Sequence, residues 1–122
     1  MAFKVEFDSE MACVATSITG DLDKEVINAF FMEVGKVAGE HECTRVLSDL
    51  REATITAPLA DIYEMAKAIE KKQVLKSFRR AIVISKDHQD YAFWETVCYN
   101  QGHRMVRIFQ NYDQARKWVL SE

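Results

Sequence analysis

Residues 80–84 read Arg-Ala-Ile-Val-Ile, a nearly continuous apolar run. Residues 45–50, Arg-Val-Leu-Ser-Asp-Leu, form a second short run that is bounded by polar residues. Runs of this length are typical of strands that are covered on both faces, as the strands of parallel sheets are. The two runs therefore predict buried strands of a mostly parallel β-sheet.

The chain before these runs predicts an antiparallel hairpin. Residues 3–8 alternate between apolar and charged side chains, which indicates a half-buried strand. A short turn at Ser9-Glu10 separates this strand from a second extended run, from about Met11 to Thr19. A last strand is predicted at residues 104–109, where apolar residues again dominate.

About four helices are predicted between and after these strands. The first runs from about Leu22 to Ala38, with Asp21 as its N-cap after a strand break at Gly20. The later helices begin at residues that can cap them, namely Thr56, Asp87 and Asn111. The order β-β-α-β-α-β-α-β-α predicts an α/β fold with a single mixed, mostly parallel sheet, an N-terminal hairpin and helices on both faces.

Composition limits the class of protein. The chain has 122 residues, which suits one domain over residues 1–122. Sixteen Lys and Arg against nineteen Asp and Glu leave a net charge of -3, so we do not expect a nucleic-acid partner. Three cysteines without a CxxC pair do not indicate a disulfide framework. The absence of a signal-peptide pattern or a transmembrane run predicts a cytoplasmic protein.

Four local stretches and their order carry a resemblance to a known family. They are Thr19-Gly20-Asp21-Leu22, Ser48-Asp49-Leu50-Arg51, Arg80-Ala81-Ile82-Val83, and Val106-Arg107-Ile108-Phe109 followed by Ala115-Arg116-Lys117-Trp118-Val119-Leu120. Over nearly its whole length, the chain resembles the STAS family of sulfate-transporter and anti-sigma-antagonist domains. Within it, the chain is most similar to the SpoIIAA-like branch, which is also likened to CRAL-TRIO lipid-binding domains. The resemblance implies a non-enzymatic domain that binds a partner protein or an apolar ligand.

The resemblance also implies a position for a phosphoacceptor. In the phosphorelay members of the family, a serine follows the central strand that ends in Asp and opens the next helix. Here residues 50–53 follow Asp49, and the first hydroxyl groups are those of Thr54 and Thr56. Phosphate at a helix start is electrostatically favourable, although Thr56 is equally suited to cap the helix.

The carboxyl ends of the parallel strands form the first candidate site. Ligands of open α/β sheets bind at this edge, where helix N-termini favour anions. We therefore expect Asp49, Arg51, Thr54 and Thr56 to form an edge that contacts a partner or an anion. The simpler alternative is that the polar residues here cap helices.

Bulky residues of the first two predicted helices form the second candidate site. We expect an apolar pocket of lipid-like character to be lined by Phe30, Phe31, Tyr63 and Met65. Ordinary core packing is the favoured alternative. Three consecutive bulky residues, Phe30-Phe31-Met32, cover more of the helix surface than one buried face needs. One of them therefore points outward, and a homodimer contact is a further interpretation.

Catalytic and metal chemistry are not favoured. The three histidines, His41, His88 and His103, have no ligand spacing with each other or with cysteine, so we predict neither a metal site nor a cofactor. A small enzyme that uses Cys98 or the Asp49–Arg51 edge is the less favoured alternative. The preferred hypothesis is a non-enzymatic binding or regulatory domain, and the main alternative is a homo-oligomeric structural or regulatory protein without a ligand.

Overall fold

The computed structural model describes residues 3–56, 58, 60–61, 64, 67, 78–85, 96, 99 and 105–121. These residues contain one five-stranded sheet and two helices, and the predicted α/β class is confirmed. In chain order the elements are β1 (Phe3–Asp8), β2 (Cys13–Leu22), α1 (Lys24–Glu40), β3 (Arg45–Ile55), β4 (Arg79–Val83), β5 (Val106–Phe109) and α2 (Tyr112–Leu120). The helices predicted from Thr56 and Asp87 fall mostly outside the described residues, so the count of four stays a prediction.

The strands lie in the sheet in chain order, β1-β2-β3-β4-β5. β1 pairs with β2 in an antiparallel ladder, and the other three pairings are parallel. The predicted mixed, mostly parallel sheet with an N-terminal hairpin is therefore confirmed. Asp8 shapes the hairpin turn, because its Oδ1 accepts hydrogen bonds from the backbone N–H groups of Glu10, at 3.0 Å, and Met11, at 3.1 Å.

The two described helices cover opposite faces of the sheet. α1 packs on β1 and β2, and it buries Ile27, Phe30, Val34 and Ala38. α2 packs on β3, β4 and β5, and it buries Ala115 and Val119. α1 connects the parallel strands β2 and β3, and connections of this kind are right-handed. α2 follows β5 and does not connect it to another described strand, so the handedness rule does not apply to α2.

The start of α1 differs from the sequence prediction. The predicted strand break at Gly20 and the predicted N-cap at Asp21 are wrong, because β2 continues through both residues to Leu22. Gly20 adopts a positive φ of 82° within the strand, a conformation that glycine tolerates. The N-cap is Asp23, whose Oδ1 accepts the backbone N–H of Val26 at 2.9 Å.

A β-bulge interrupts the parallel ladder between β2 and β3. Ser17 pairs with Asp49 and Thr19 pairs with Glu52, so β3 contains one more residue than β2 over this stretch. Past the bulge, β2 and β3 continue together as far as the pair formed by Leu22 and Ile55. In the described ladders β4 pairs with β3 only up to Asp49, so this end of β2 and β3 extends beyond the rest of the sheet.

Candidate functional site

Asp49 and Arg51 form a two-point ion pair at the bulge. Arg51 donates from Nε to Asp49 Oδ1 at 2.9 Å and from Nη2 to Asp49 Oδ2 at 2.8 Å. The backbone N–H of Arg51 also donates to Asp49 Oδ1, at 3.1 Å. The parallel fork geometry matches the two carboxylate oxygens, so the two side chains hold each other in place. The structure therefore brings together these two residues of the predicted edge.

The ion pair shifts the titration of both groups. The side-chain hydrogen bond from Arg51 lowers the pKa of Asp49 below its usual range, although partial burial opposes the shift. The same hydrogen bond raises the pKa of Arg51. The guanidinium carbon also lies 5.4 Å from the ring centroid of Tyr112, at the start of α2. The neighbouring carboxylate already offsets the charge of Arg51, so the edge is less cationic than the residue types alone suggest.

A shallow polar groove surrounds the ion pair. Its lining consists of residues from the bulged ends of two neighbouring strands: Ser17, Ile18, Thr19, Asp49, Arg51 and Glu52. Sequence reasoning missed Ser17, Thr19 and Glu52 as neighbours of Asp49. They lie together only because β2 pairs with β3 in this shifted register, and no local signal in the sequence shows that register.

The two candidate phosphoacceptors lie further along the same extension. Thr54 is still within β3, where it lies opposite Asp21. Thr56 follows the strand, and its backbone N–H donates to the carbonyl of Leu22 at 3.2 Å. Both residues are exposed. In the described residues, the two threonines are thus connected to the ion pair of Asp49 and Arg51 only through the backbone of the strand.

An apolar cavity of about 70 Å³ lies between α1 and the sheet. Its apolar lining comes from α1 and from strands β2, β3 and β4: Ile18, Leu22, Ile27, Phe30, Phe31, Val34, Val46, Leu50 and Ile82. The predicted pocket residues Phe30 and Phe31 therefore line one cavity, whereas Tyr63 and Met65 lie outside the described residues. Met32 is 75% exposed and is the member of the Phe30-Phe31-Met32 run that points outward.

Two polar side chains join this apolar lining, Ser48 and Arg80. Their exposed fractions are only 7% and 5%. Thr16 pairs with Ser48 in the ladder and is equally buried, and its hydroxyl makes no hydrogen bond within the part of the chain that the structure describes. A buried hydroxyl without a partner costs free energy, so the polar group that Thr16, Ser48 and Arg80 form under α1 needs an explanation. Sequence reasoning missed these residues, although each lies among apolar residues on the face of its strand that points to α1.

The remaining titratable candidates do not form a catalytic cluster in the described residues. Cys13 is fully buried on the α2 face, and burial, with a smaller contribution from Cys43, raises the pKa of its thiol to about 11. His41 stacks on Phe7, with ring centroids 4.2 Å apart. Cys98, His88 and His103 lie outside the described residues. Among the residues that the structure describes, no group of three or more His, Cys, Asp or Glu is arranged to hold a metal ion.

Fold and site together define a single-sheet α/β domain, with a cavity under its first helix and a polar groove at the carboxyl ends of β2 and β3. The SpoIIAA-like family model matches residues 13–120. The chain belongs to the SpoIIAA-like family, and the resemblance noted from the sequence is confirmed. No curated protein matches the chain in a sequence comparison. The described part of the chain contains no helix that is both long and apolar enough to cross a membrane.

Proposed function

We propose that the chain is a regulatory binding domain that holds a small amphiphile in the cavity under α1. Membership of the SpoIIAA-like family supports a regulatory, non-enzymatic role of the STAS type. The observation that carries the finer proposal is the composition of the cavity wall, which is apolar except for Ser48 and Arg80. Ligand sites commonly combine an apolar lining with a few polar groups that orient the ligand.

The division of the wall suggests how the ligand is oriented. Its hydrocarbon part contacts the aromatic rings of Phe30 and Phe31, which pack edge to face with centroids 5.6 Å apart. Its polar end lies toward the polar group of Thr16, Ser48 and Arg80 on the face of the sheet beneath α1. A carboxylate is the favoured polar end, because the guanidinium of Arg80 is positively charged and buried.

The cavity volume sets the scale of the affinity. An empty cavity costs roughly 24 cal/mol per Å³, so about 70 Å³ corresponds to about 1.7 kcal/mol of lost packing. A ligand that fills the space recovers this free energy, which is roughly a fifteen- to twentyfold change in a dissociation constant. The cavity is small compared with typical sites for drug-sized ligands, so we expect a short ligand, or one that moves α1 away from the sheet.

Two measurements test this proposal. Native mass spectrometry of gently purified protein, repeated after denaturation, is expected to show an excess mass that denaturation removes. Calorimetric titration with straight-chain carboxylates from butanoate to dodecanoate is expected to show affinity that rises roughly fourfold per methylene until the cavity is filled. The matching alcohols are expected to bind more weakly, since they lack the charge that faces Arg80.

A pair of variants on the same helix locates the binding. Val34→Phe places a large ring in the cavity and is expected to abolish carboxylate binding. Met32→Phe makes the same kind of change on the exposed side of α1 and is expected to bind as the wild type does. Val34→Leu is a milder variant in case the larger side chain prevents folding. Equal binding by all variants, or no binding by the wild type, would refute the proposal.

A second candidate function is a protein contact at the polar groove. The observation that favours it is the ion pair of Asp49 and Arg51, which is held rigidly on a bulge beside the extended ends of β2 and β3. Pre-organised side chains bind a partner at a smaller entropic cost. If the groove is a contact, Arg51→Ala weakens binding of an isolated partner and leaves carboxylate binding under α1 unchanged. An Arg51→Ala protein that retains every partner would rule the groove out.

A further inference from the structure

β1 is an edge strand with an unpaired side. It is the first strand in the sheet order, and it pairs with β2 on one side only. Within the part of the chain that the structure describes, no strand covers its other side. Alternate backbone N–H and C=O groups of an edge strand point outward and can hydrogen-bond to another strand. The edge thus offers a template for one more strand.

The two faces of β1 differ in character. Phe3 and Phe7 lie on the α1 face, where Phe3 packs edge to face on Phe30 at 5.8 Å and Phe7 stacks on His41 at 4.2 Å. Lys4 and Glu6 lie on the other face, and their side chains are 70% and 59% exposed. They lie 3.7 Å apart, between Lys4 Nζ and Glu6 Oε1, so one strand presents a positive and a negative side chain to solvent.

We propose that β1 pairs with β1 of a second copy of this chain, in an antiparallel ladder whose twofold axis passes through Val5. Side chains that lie directly opposite each other in such a ladder share a face of the sheet. This register sets Lys4 of each copy against Glu6 of the other. On the α1 face, Phe3 of each copy lies opposite Phe7 of the other, and the two Val5 side chains meet at the axis.

The charges select this register over its neighbours. An axis through Lys4 would set Lys4 opposite Lys4, and an axis through Glu6 would set Glu6 opposite Glu6. Like charges that face each other directly across a ladder are destabilising, whereas opposite charges are stabilising. Registers shifted by one residue would place apolar side chains opposite charged ones. The order of charges along β1 is therefore complementary to itself only about Val5.

The position of α1 is compatible with this dimer. The twofold axis is perpendicular to the sheet, so both copies of α1 lie on the same face of a continuous ten-stranded sheet, twice the five strands of one chain. α1 packs over β1 and β2. Its counterpart would then lie about two strand spacings away, roughly 10 Å, which is an ordinary distance between packed helices. The second copy can therefore approach without displacing α1.

The dimer is expected to be weak, because β1 has only six residues and a stable interface buries about 800 Å² on each partner. Sedimentation equilibrium over a wide concentration range is the appropriate measurement. The wild type is expected to dimerise in a concentration-dependent way. Lys4→Glu and Glu6→Lys are each expected to weaken the dimer by roughly tenfold or more, because the symmetry turns two attractive pairs into two repulsive ones.

Two combinations of these variants make the test specific. An equimolar mixture of the Lys4→Glu and Glu6→Lys proteins is expected to form a heterodimer, because each strand then faces the opposite charge. The double exchange, Lys4→Glu with Glu6→Lys, restores the alternation and is expected to dimerise as the wild type does. Lys117→Glu, on α2 over the other strands, is a control that should leave the dimer unchanged.

The outcomes separate this dimer from the other uses of the edge. A wild type that stays monomeric at all concentrations overturns the proposal and indicates that Lys4 and Glu6 only protect the edge from pairing. A dimer that is insensitive to both single reversals also overturns it and places the contact elsewhere, for example at the exposed Met32. Slower hydrogen exchange of β1 amides at high protein concentration, in every protein or mixture that is expected to dimerise and in neither single reversal on its own, is the supporting result.

Discussion

At the residue scale, Asp49 and Arg51 show how strand geometry creates an ion pair. Residues two positions apart on a strand project from the same face, which places the two side chains next to each other. The bulge at this point leaves the pair at the margin of the sheet, where both groups retain some contact with water. Exposure limits what such a pair contributes to stability.

The lowered pKa of Asp49 predicts a dependence of stability on pH. The folded carboxyl loses its proton more readily than the unfolded one, whose pKa is about 3.9. Its contribution is therefore fully present above that value and is lost as the pH falls through the folded pKa. Arg51→Gln is expected to lower the free energy of unfolding at neutral pH by less than about 1 kcal/mol.

The measurement is urea unfolding of the wild type and Arg51→Gln at neutral pH and at acid pH, where the difference is expected to vanish. An NMR titration of the Asp49 carboxyl carbon should show its pKa return toward the ordinary value in the variant. Arg51→Lys is expected to fall between the two, because lysine keeps the charge and loses the two-point geometry. A difference that persists in acid would show that Arg51 acts through packing instead.

At the element scale, local signals located the strands and helices but did not settle where each one ends. The alternation in residues 3–8 predicted β1, and Asn111 is the predicted cap of α2, accepting the backbone N–H of Gln114 at 2.9 Å. Asp21 and Asp23 are both suitable N-caps by residue type. Pairing of β2 with β3 keeps Asp21 in the sheet, and this pairing joins residues too far apart in the chain for local patterns to show it.

The two aspartates provide a matched test of the cap. Asp23→Ala removes the acceptor for the Val26 N–H and is expected to lower the free energy of unfolding by about 1 kcal/mol. Asp21→Ala removes an equally exposed carboxylate that caps no helix, and it is expected to change stability by less than about 0.5 kcal/mol. Urea unfolding of both variants, with Asp23→Asn as the variant that keeps an acceptor, measures the difference. Equal losses for the two alanine variants would contradict the assignment of Asp23.

Like the ends of the strands and helices, the candidate site could be predicted only in part from the sequence. The run Phe30-Phe31-Met32 indicated bulky residues, and helical spacing was enough to expect that not all three point inward. The polar group of Thr16, Ser48 and Arg80 comes from three neighbouring strands, in a register that sets Thr16 opposite Ser48 and Arg80 opposite Val46. That register is a property of the assembled sheet, so no single segment of the sequence contains it.

At the scale of the whole molecule, the sheet separates two cores that are packed differently. The α1 face contains the larger cluster and the cavity beneath Phe30 and Val34. The α2 face holds a smaller cluster in which Ala115 and Val119 have no exposed surface. Under the proposed function, the α1 face admits the ligand, and the fully buried residues of the α2 face maintain the fold.

This difference predicts opposite responses to the same small substitution. Val34→Ile and Val119→Ile each add one methyl group to a buried valine in a helix. At Val34 the group extends into the cavity, so the free energy of unfolding is expected to stay the same or rise by up to about 1 kcal/mol. Val119 has no exposed surface, so the added group is expected to press on the neighbouring side chains, and a loss of about 1–3 kcal/mol is expected.

Urea unfolding of the two variants and the wild type measures this difference directly. Both substitutions replace a buried helical valine with isoleucine, so the residue type and the added volume are matched. The unfolding slope should stay constant, which shows that only stability has changed. Equal destabilisation by both substitutions would mean that the α1 face is packed as tightly as the α2 face, and the amphiphile site would lose its physical basis. A stabilised Val34→Ile protein that also binds dodecanoate more weakly would show that methyl group and ligand occupy the same space.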